Sequence, residues 1–568
     1  MHPCSAVTKT DDSNNFIFSF NFLRGKRCIV ISMRTTNEPT IFVNQIGHTP
    51  DEVKFAYIPV SAADALGAKT FSVVEKTGGN QVFSGSLQPC ADDNAAGEPY
   101  FYADFSAFRG DPDDESKQYQ VRIGDSLSFP FVIQKNPYKD LYFSTLNYFK
   151  LSRCGQDLCH MDKALVYGTA DEWKDVQGGW HDAGDYGRYV VAGAKSVMDL
   201  LLAYDFSKTS FNKFDILAEA RFELEWMLRM QRDDGGVYHK VSCYHFCAFI
   251  NPQDEKDRLV LAPVSTSATA DFAGTCAYAA FYFDDSDPAF SATLTSAALK
   301  AQSYLDTHDD ELYINPPEIT TGGYGDRDVS DERYFALASL FVRTKQNDFL
   351  ERALKIRREK ESVPDEQDGH WRGWHEHYSW GCVSGYGTEI LLRNEALVRG
   401  ACGGQVVEEL KKHYLAQAEK SLEYARKSVF GLDIPHFGWG SNGAVCDVAH
   451  VLMVAHKLCG KQEYADVAHR QISYILGCNP LNYCYVTGAG SKSPVKPHHR
   501  PSGASGNVMP GMLAGGPDEG LHDAYAKEHL QNLPPLKCYV DEQPSYSTNE
   551  IAIYWNSTFV YLLAALYF

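Results

Sequence analysis

The sequence predicts two domains of different class: a small β-sandwich of immunoglobulin type, then a large all-α domain of paired helical hairpins closed into a double ring. Three observations carry this. Up to residue 134, short apolar or alternating runs recur about every ten residues between clusters of Gly, Pro, Asn and Asp, the text of strands and turns. After Pro137 the apolar spacing becomes helical. About a dozen amphipathic stretches then follow, joined by long Gly-, Pro- and Asp-rich loops, and no repeat of roughly 20–50 residues marks a solenoid.

Residues 1–39 are expected to be disordered or a mis-called extension, with Met33 as an alternative start. The apolar flavour of 16–33 is split by Arg24, Lys26 and Arg27, and no small-residue cleavage site follows, so it makes a poor signal peptide. The sandwich is assigned to 40–136, with strands at 41–43, 53–58, 70–74, 81–83, 119–123 and 129–133. The helical domain is assigned to 137–568. Val197, Leu200, Leu201 and Tyr204 share one helix face, as do Ile216, Ala220, Leu224, Met227 and Leu228. Further helices are predicted near 268–283, 289–305, 331–344, 347–357, 386–398, 407–428, 444–459, 461–476 and 549–567.

Composition excludes several functions. With 53 Lys+Arg against 73 Asp+Glu the formal charge is −20, the wrong sign for a surface that tracks nucleic acid. Apolar residues at 44% and charged residues at 22% describe a globular chain rather than a disordered one. No apolar run is long enough to span a bilayer. The 15 Cys are an odd number, so at least one thiol is unpaired within the monomer. Free thiols without an export signal predict a cytoplasmic protein, with secretion as the alternative. Nothing in the sequence reads out an oligomeric state.

Three segments carry chemistry. The run Gly178-Gly179-Trp180-His181-Asp182-Ala183-Gly184-Asp185 places two carboxylates on a glycine-rich loop ahead of a helix, suited to activating a water or holding a metal. A D-x-x-D pair alone is equally a turn or a helix cap. The segment with Tyr539, Asp541, Tyr546 and Glu550 opens the last predicted helix. There Glu550 is either a first-turn acid favoured by the helix dipole or a cleft acid kept protonated by burial and by neighbouring carboxylates. The loop 485–502 ends in His498-His499-Arg500, a concentration of donors for hydroxyls and carboxylates.

Together these segments resemble glycoside hydrolase family 9, which includes many cellulases. The last matches the family's aromatic-x-Asp and Glu-x-Ala-x(3)-Asn-Ser pattern, and the Pro-His-x-Arg loop matches except for Cys484. The aspartate loop, Val43-Asn44-Gln45-Ile46-Gly47 and Ala103-Asp104-Phe105-Ser106 match the branch with an N-terminal immunoglobulin-like domain, as do Tyr324-Gly325-Asp326 and Trp439-Gly440-Ser441-Asn442. The resemblance implies an (α/α)6 barrel of six hairpins and an inverting β-1,4-glycosidase without an organic cofactor. It implies Asp185 as general base, Asp182 as its aid in holding the water, and Glu550 as general acid. His498 and Arg500 would grip the sugar, with Asp541 and Tyr546 lining its subsite. Inversion requires the acid and base to stand roughly 6.5–9.5 Å apart, and drawing them from opposite walls of the ring is the expected way to achieve it.

Cys154, Cys159, His160 and His181 make a ligand set typical of structural zinc, and the same branch uses such ligands; the metal would brace the loop that carries Asp182. Asp331 and Glu332 match a calcium-binding stretch of the family, with solvated acids at a helix N-terminus as the alternative. The lack of an export signal, linker or binding appendage favours an exo-acting enzyme on short β-glucosides or glucosamine oligomers. Asp518 and Glu519 are candidates to pair with a glucosaminium amine, or else a solvated turn. The alternatives are an endo-1,4-β-glucanase, a non-catalytic carbohydrate-binding protein, and a zinc- or magnesium-dependent enzyme using Asp182 and Asp185 as ligands.

Overall fold

The computed structural model describes residues 7–11, 15–19, 39–155, 162–208, 214–363 and 373–568. Within the segment expected to be disordered, β1 (Val7–Asp11) pairs antiparallel with β2 (Asn15–Ser19). The N-terminal domain is built from β3 (Gly47–His48), β4 (Phe55–Pro59), β5 (Thr70–Glu75), β6 (Gln81–Ser86), β7 (Gln88–Pro89), β8 (Tyr100–Asp104), β9 (Tyr119–Ile123), β10 (Ser126–Leu127) and β11 (Val132–Ile133), with the short α1 (Val60–Ala65). One sheet runs β10-β9-β5-β6 and the facing one β4-β8-β7, while β3 and β11 pair in parallel. Alternation in β9 sends Tyr119, Val121 and Ile123 inward against Phe71, Val73, Ala103 and Phe105, the sandwich core. The strand predicted at 41–43 is reduced to a single bridge, Phe42 to Tyr57. Strand β8 was not predicted, because its Tyr-Phe-Tyr-Ala-Asp sequence does not alternate in polarity.

The remaining helices are α2 (Lys139–Leu151), α3 (Val190–Ser207), α4 (Ile216–Arg229), α5 (Thr266–Ala279), α6 (Pro288–Thr307), α7 (Ser330–Thr344), α8 (Asn347–Glu361), α9 (Ser384–Arg393), α10 (Glu395–Cys402), α11 (Gly404–Lys427), α12 (Ser441–Cys459), α13 (Gln462–Ile475), α14 (Arg500–Ser505), α15 (Ala524–His529), α16 (Tyr546–Asn549) and α17 (Ile553–Tyr567). The helices α3, α5, α7 and α9 pack successively, α12 packs on α17, and α17 on α3. His450 of α12 bonds Glu389 of α9 at 3.0 Å. Helices α4, α6, α8, α11 and α13 back this inner set. Sequence explains the layering: α5 is buried at every position and rich in Ala, Gly, Ser and Thr, whereas α8 and α11 bury only one stripe. A Cβ on Gly274 of α5 would lie 2.5 Å from the Phe335 ring, so glycine sets the approach of α5 to α7.

Two departures from the sequence reading bear on the site. The large domain is not all-α: β12 (Lys163–Val166), β13 (Trp173–Asp175), β14 (Arg188–Tyr189), β15 (Lys240–Cys243) and β16 (Leu259–Leu261) form a sheet in the order β13-β12-β16-β15-β14. These strands are two to four residues long, too short for a period to register. The helix predicted at 549–567 is broken: α16 stops at Asn549, Glu550 is extended, and α17 begins at Ile553.

The sandwich docks on the loop that leads to His498. Gln45 donates to the Asn482 carbonyl at 3.0 Å and accepts from the Ser491 and Lys492 amides at 2.9 and 3.0 Å. Among the described residues no helix is long and apolar enough to cross a membrane.

Candidate active site

The aspartate loop is shaped by close packing and internal hydrogen bonds. Gly179, at φ +79°, leaves no room for a Cβ, which would sit 2.6 Å from the Trp226 indole. The buried Arg188 donates to the Val176 and Gly178 carbonyls. The Asp182 amide donates to the Gly187 carbonyl at 2.9 Å, and the Gly187 amide donates to Asp185 Oδ2 at 3.0 Å. The two aspartates are therefore held by one short closed turn.

Three segments distant in sequence are sewn together there. Ile553 N–H donates to the Asp182 carbonyl at 2.8 Å, and the Arg500 amide and Nη1 donate to the Gly184 carbonyl at 3.0 and 2.8 Å. His498 forms a parallel bridge with Glu550. A Cβ on Gly184 would lie 2.2 Å from the His498 carbonyl oxygen and 3.2 Å from Glu550 Oε1. Asp182, Asp185 and Glu550 thus share one site. They do not come from opposite walls, as expected, but from neighbours: α3 packs on α17, and the loops ahead of both meet at that seam. The helix-dipole reading of Glu550 also fails, since its extended backbone follows a four-residue helix and precedes α17.

The carboxyl groups are electrostatically unequal. Burial, then repulsion from Asp185 and Asp182, pushes the Glu550 carboxyl well above its ordinary range, against an opposing pull from Arg500. Asp182 is fully buried and also pushed up, by desolvation and then by Asp185. The Tyr324 hydroxyl donates to Asp182 Oδ2 at 2.5 Å and pulls the other way, while Oδ1 has no hydrogen-bond partner. His498 Nδ1 donates to the Gln543 carbonyl at 2.7 Å, and burial pulls the ring's pKa down. The neutral ring then carries its free lone pair on Nε2, an acceptor for a hydroxyl.

Other predicted sugar contacts have different work. Arg500 spends Nε on the Cys247 carbonyl at 2.9 Å and Nη1 on Gly184, and its guanidinium lies over Phe246 and Phe249, so it clamps the aspartate loop. Asp541 accepts from the Val495 and Lys496 amides at 2.8 and 2.9 Å, from Tyr483 and from Asn549, which fixes the approach to His498. Tyr546 is half-buried beside His498 and lies 5.1 Å from Trp439, which is 47% exposed. Asp518 is fully buried and bonded to the Gly520 and His522 amides and to the His522 ring; Glu519 accepts from the Phe437 amide. Asp518 is therefore neither offered to an amine nor part of a solvated turn, whereas Glu519 is exposed on the turn that follows.

Sequence reasoning gave no role to Tyr324. It stands at φ +51° between Gly323 and Gly325, and packs against Tyr189, Trp380 and Tyr554 at 4.6, 4.9 and 5.9 Å. The flanking glycines were the available signal. On this loop face a cavity of about 730 Å³ opens between Asp326, His377, Gly381, Ile434 and His436. A pocket of about 10 Å³, roughly one water, lies beside Asp185 with Ser242, Glu255 and Thr321.

The zinc reading is half visible. Arg153 and Trp180 form an antiparallel bridge, with the Cys154 amide on the Gly179 carbonyl and the His181 amide on the Ser152 carbonyl, both at 2.8 Å. Cys154 and His181, both buried, are diagonal neighbours on one face of that ladder. One thiol and one imidazole so placed fit half of a tetrahedral zinc site; Cys159 and His160 lie outside the described residues. The alternative for Asp331 and Glu332 is overturned: both are buried rather than solvated, and the carboxyl oxygens of Glu332 and of the nearby Asp271 have no hydrogen-bond partner, a demand that a hard cation would meet. Asp331, pushed up to about 6 chiefly by burial, spends Oδ2 on the Val383 amide. Among the described residues no three His, Cys, Asp or Glu side chains are gathered to hold a metal ion.

A helical double layer with a loop-face cavity, and aspartates beside a buried glutamate of raised pKa at its seam, defines the class of carbohydrate-cleaving hydrolases. The chain belongs to glycosyl hydrolase family 9, whose model matches residues 138–563, preceded by a cellulase N-terminal ig-like domain over 36–127. It is 33% identical over 561 residues to a cellodextrinase of Butyrivibrio fibrisolvens, covering 93% of this chain and 99% of that one. A thermostable endoglucanase from Alicyclobacillus acidocaldarius is 32% identical and superposes with a TM-score of 0.82, covering 93% of this chain and 99% of the other. A zinc-binding triple mutant of a family endoglucanase is 26% identical with a TM-score of 0.83, covering 92% and 99%.

Proposed function

We propose that this glycosyl hydrolase is an inverting β-1,4-glycosidase on an (α/α)6 barrel, acting from the ends of short β-glucan or glucosamine oligosaccharides. The observation that carries the mechanism is the Glu550 carboxyl against Gly184, its pKa pushed up by burial and by the two aspartates of that loop. Glu550 donates its proton to the glycosidic oxygen, and Asp185 takes one from the attacking water, oriented with help from Asp182. His498 Nε2 accepts from a sugar hydroxyl, and Tyr546 with Trp439 offers ring faces for stacking. Asp182 and Asp185 act as acid–base groups, not as metal ligands.

Similarity to a cellodextrinase supports short substrates and a glucan over a glucosaminide. The cavity of about 730 Å³ beside Asp326 supports the second reading, an endo-1,4-β-glucanase. Zinc, held by Cys154 and His181 with Cys159 and His160, would supply a cross-link beneath the aspartate loop and no chemistry. The buried free thiols of Cys276, Cys446 and Cys478 support a cytoplasmic location.

Product analysis decides. Cellotetraose should lose terminal sugars one at a time, NMR should detect the α-anomer first, and the viscosity of a soluble glucan should fall slowly. A rapid viscosity drop establishes the endo reading, and a first-formed β-anomer overturns inversion.

A further inference from the structure

Lys240 is a fully buried cation that the mechanism above does not use. Its Nζ donates to the Thr321 carbonyl at 3.3 Å, to Thr321 Oγ1 at 3.0 Å and to the Gly322 carbonyl. All three acceptors are neutral. Among the described residues the domain's other buried lysine, Lys195, is instead ion-paired to Asp199 and Asp447 at 2.6 and 3.3 Å. Burying an ammonium on neutral acceptors is costly unless an opposite charge acts on it through space.

Lys240 stands opposite Tyr189 across the β14–β15 ladder, with Nζ 5.3 Å from the Tyr189 ring centre. The Tyr189 hydroxyl lies against Gly187, whose amide holds Asp185, and against Gly322, two residues from Tyr324. Burial pulls the Lys240 ammonium down to about 7, and the group holding it up is Asp185.

Charged and titratable groups surround Asp185 on every side. Its own loop contributes Asp182, Tyr186 and Tyr189, and α2 contributes Tyr148. Strand β15 contributes Cys243, the segment after it His245, Cys247 and Glu255, and from the later segments come His498 and Glu550. The nearby Arg500 is committed to the Gly184 and Cys247 carbonyls. With Asp182 and Glu550 both acidic, Lys240 is the lysine facing the base.

We propose that Lys240 is a positioning residue for the base: held on the Thr321–Gly322 turn, its ammonium sets the field at Asp185 and fixes the turn that brings Tyr324 to Asp182. It does not touch the sugar. The inference rests on Asp185 being the base, which Asp185→Asn tests separately: that variant must lose activity at every pH, whatever Lys240 does.

The experiment compares the purified enzyme with Lys240→Gln, which keeps a donor for Thr321 without the charge, and Lys240→Arg, which keeps the charge. The kcat/KM of each is followed from pH 4 to 9 on cellotetraose, alongside thermal unfolding. In Lys240→Gln the acid limb is expected to move up by about one pH unit, a tenfold loss on that limb, with KM within about twofold because the site is buried. Lys240→Arg is expected to keep the wild-type acid limb even at a lower plateau. If Lys240→Gln folds and its acid limb coincides with wild type, or if the Gln and Arg variants show the same shift, the proposal is overturned. Should Lys240→Gln fail to fold, Lys240→Met is assayed in its place, and the same two results decide.

Discussion

Gly184→Ala tests the seam directly. The new Cβ would sit 2.2 Å from the His498 carbonyl oxygen, where real side chains keep at least 3.0 Å, so roughly 0.8 Å of displacement is unavoidable. Backbone faces backbone, and no flexible side-chain end can absorb the clash. The displacement opens the gap between the aspartate loop and the His498–Glu550 bridge, and weakens both Arg500 hydrogen bonds to Gly184. Misplacement of a catalytic group by about 1 Å costs on the order of 100-fold. The expected result is therefore a fall of about 100-fold in kcat on cellotetraose, with a small change in KM and a loss of about 1–3 kcal/mol in stability. The control is Gly400→Ala in α10, where a Cβ meets nothing within 4 Å: kcat should hold and stability rise by up to about 1 kcal/mol. If Gly184→Ala retains kcat within threefold, the aspartate loop does not form a tight wall against the His498–Glu550 bridge.

Glu550→Gln is expected to lower kcat on cello-oligosaccharides by about 10²–10⁴-fold and far less on an aryl glycoside whose leaving group needs no proton. Because the folded-state pKa of Glu550 is raised, ionisation favours the unfolded chain as pH rises past the ordinary glutamate range. The Gln variant should therefore melt higher than wild type at neutral pH and alike near pH 4, and equal melting at both would contradict the raised pKa. Arg500→Lys keeps the charge but loses the fork that serves Gly184 and Cys247 together; kcat should fall about tenfold or more, with KM less affected, and a pure KM effect would mark Arg500 as a sugar ligand. Chelation, like Cys154→Ser, is expected to lower the melting temperature while leaving the initial rate at 25 °C nearly unchanged, with zinc measured by elemental analysis; immediate loss of rate would make the metal catalytic.

Much of this architecture was legible because long periodic segments declare their class. The stretches near 289–305, 444–459 and 461–476 lie within a few residues of α6, α12 and α13. The aspartate loop and Glu550 stood out because glycines and acids concentrate there. What stayed hidden depends on tertiary contacts. Periodicity shows which face of a helix is buried, not which helices are neighbours, so the meeting of α3 with α17 could not be read. Glu550 looked helical because its neighbours are good helix formers; tertiary pairing with His498 and Gly515 extends it instead. Arg500 and Asp541 carry the donors and acceptors of sugar ligands, and only the folded structure shows that Arg500 Nε and Nη1 serve backbone carbonyls and that Asp541 serves backbone amides, Tyr483 and Asn549.

Closing the ring between α3 and α17 has a consequence for how activity appears. Repelling acids are brought together only by the last suture of a circle whose two lips lie some 360 residues apart along the polypeptide. Such a long-range closure is slow to form. On refolding, catalysis should accordingly appear after the bulk of the helical signal, and a chain severed ahead of α16 would possess half a reaction centre.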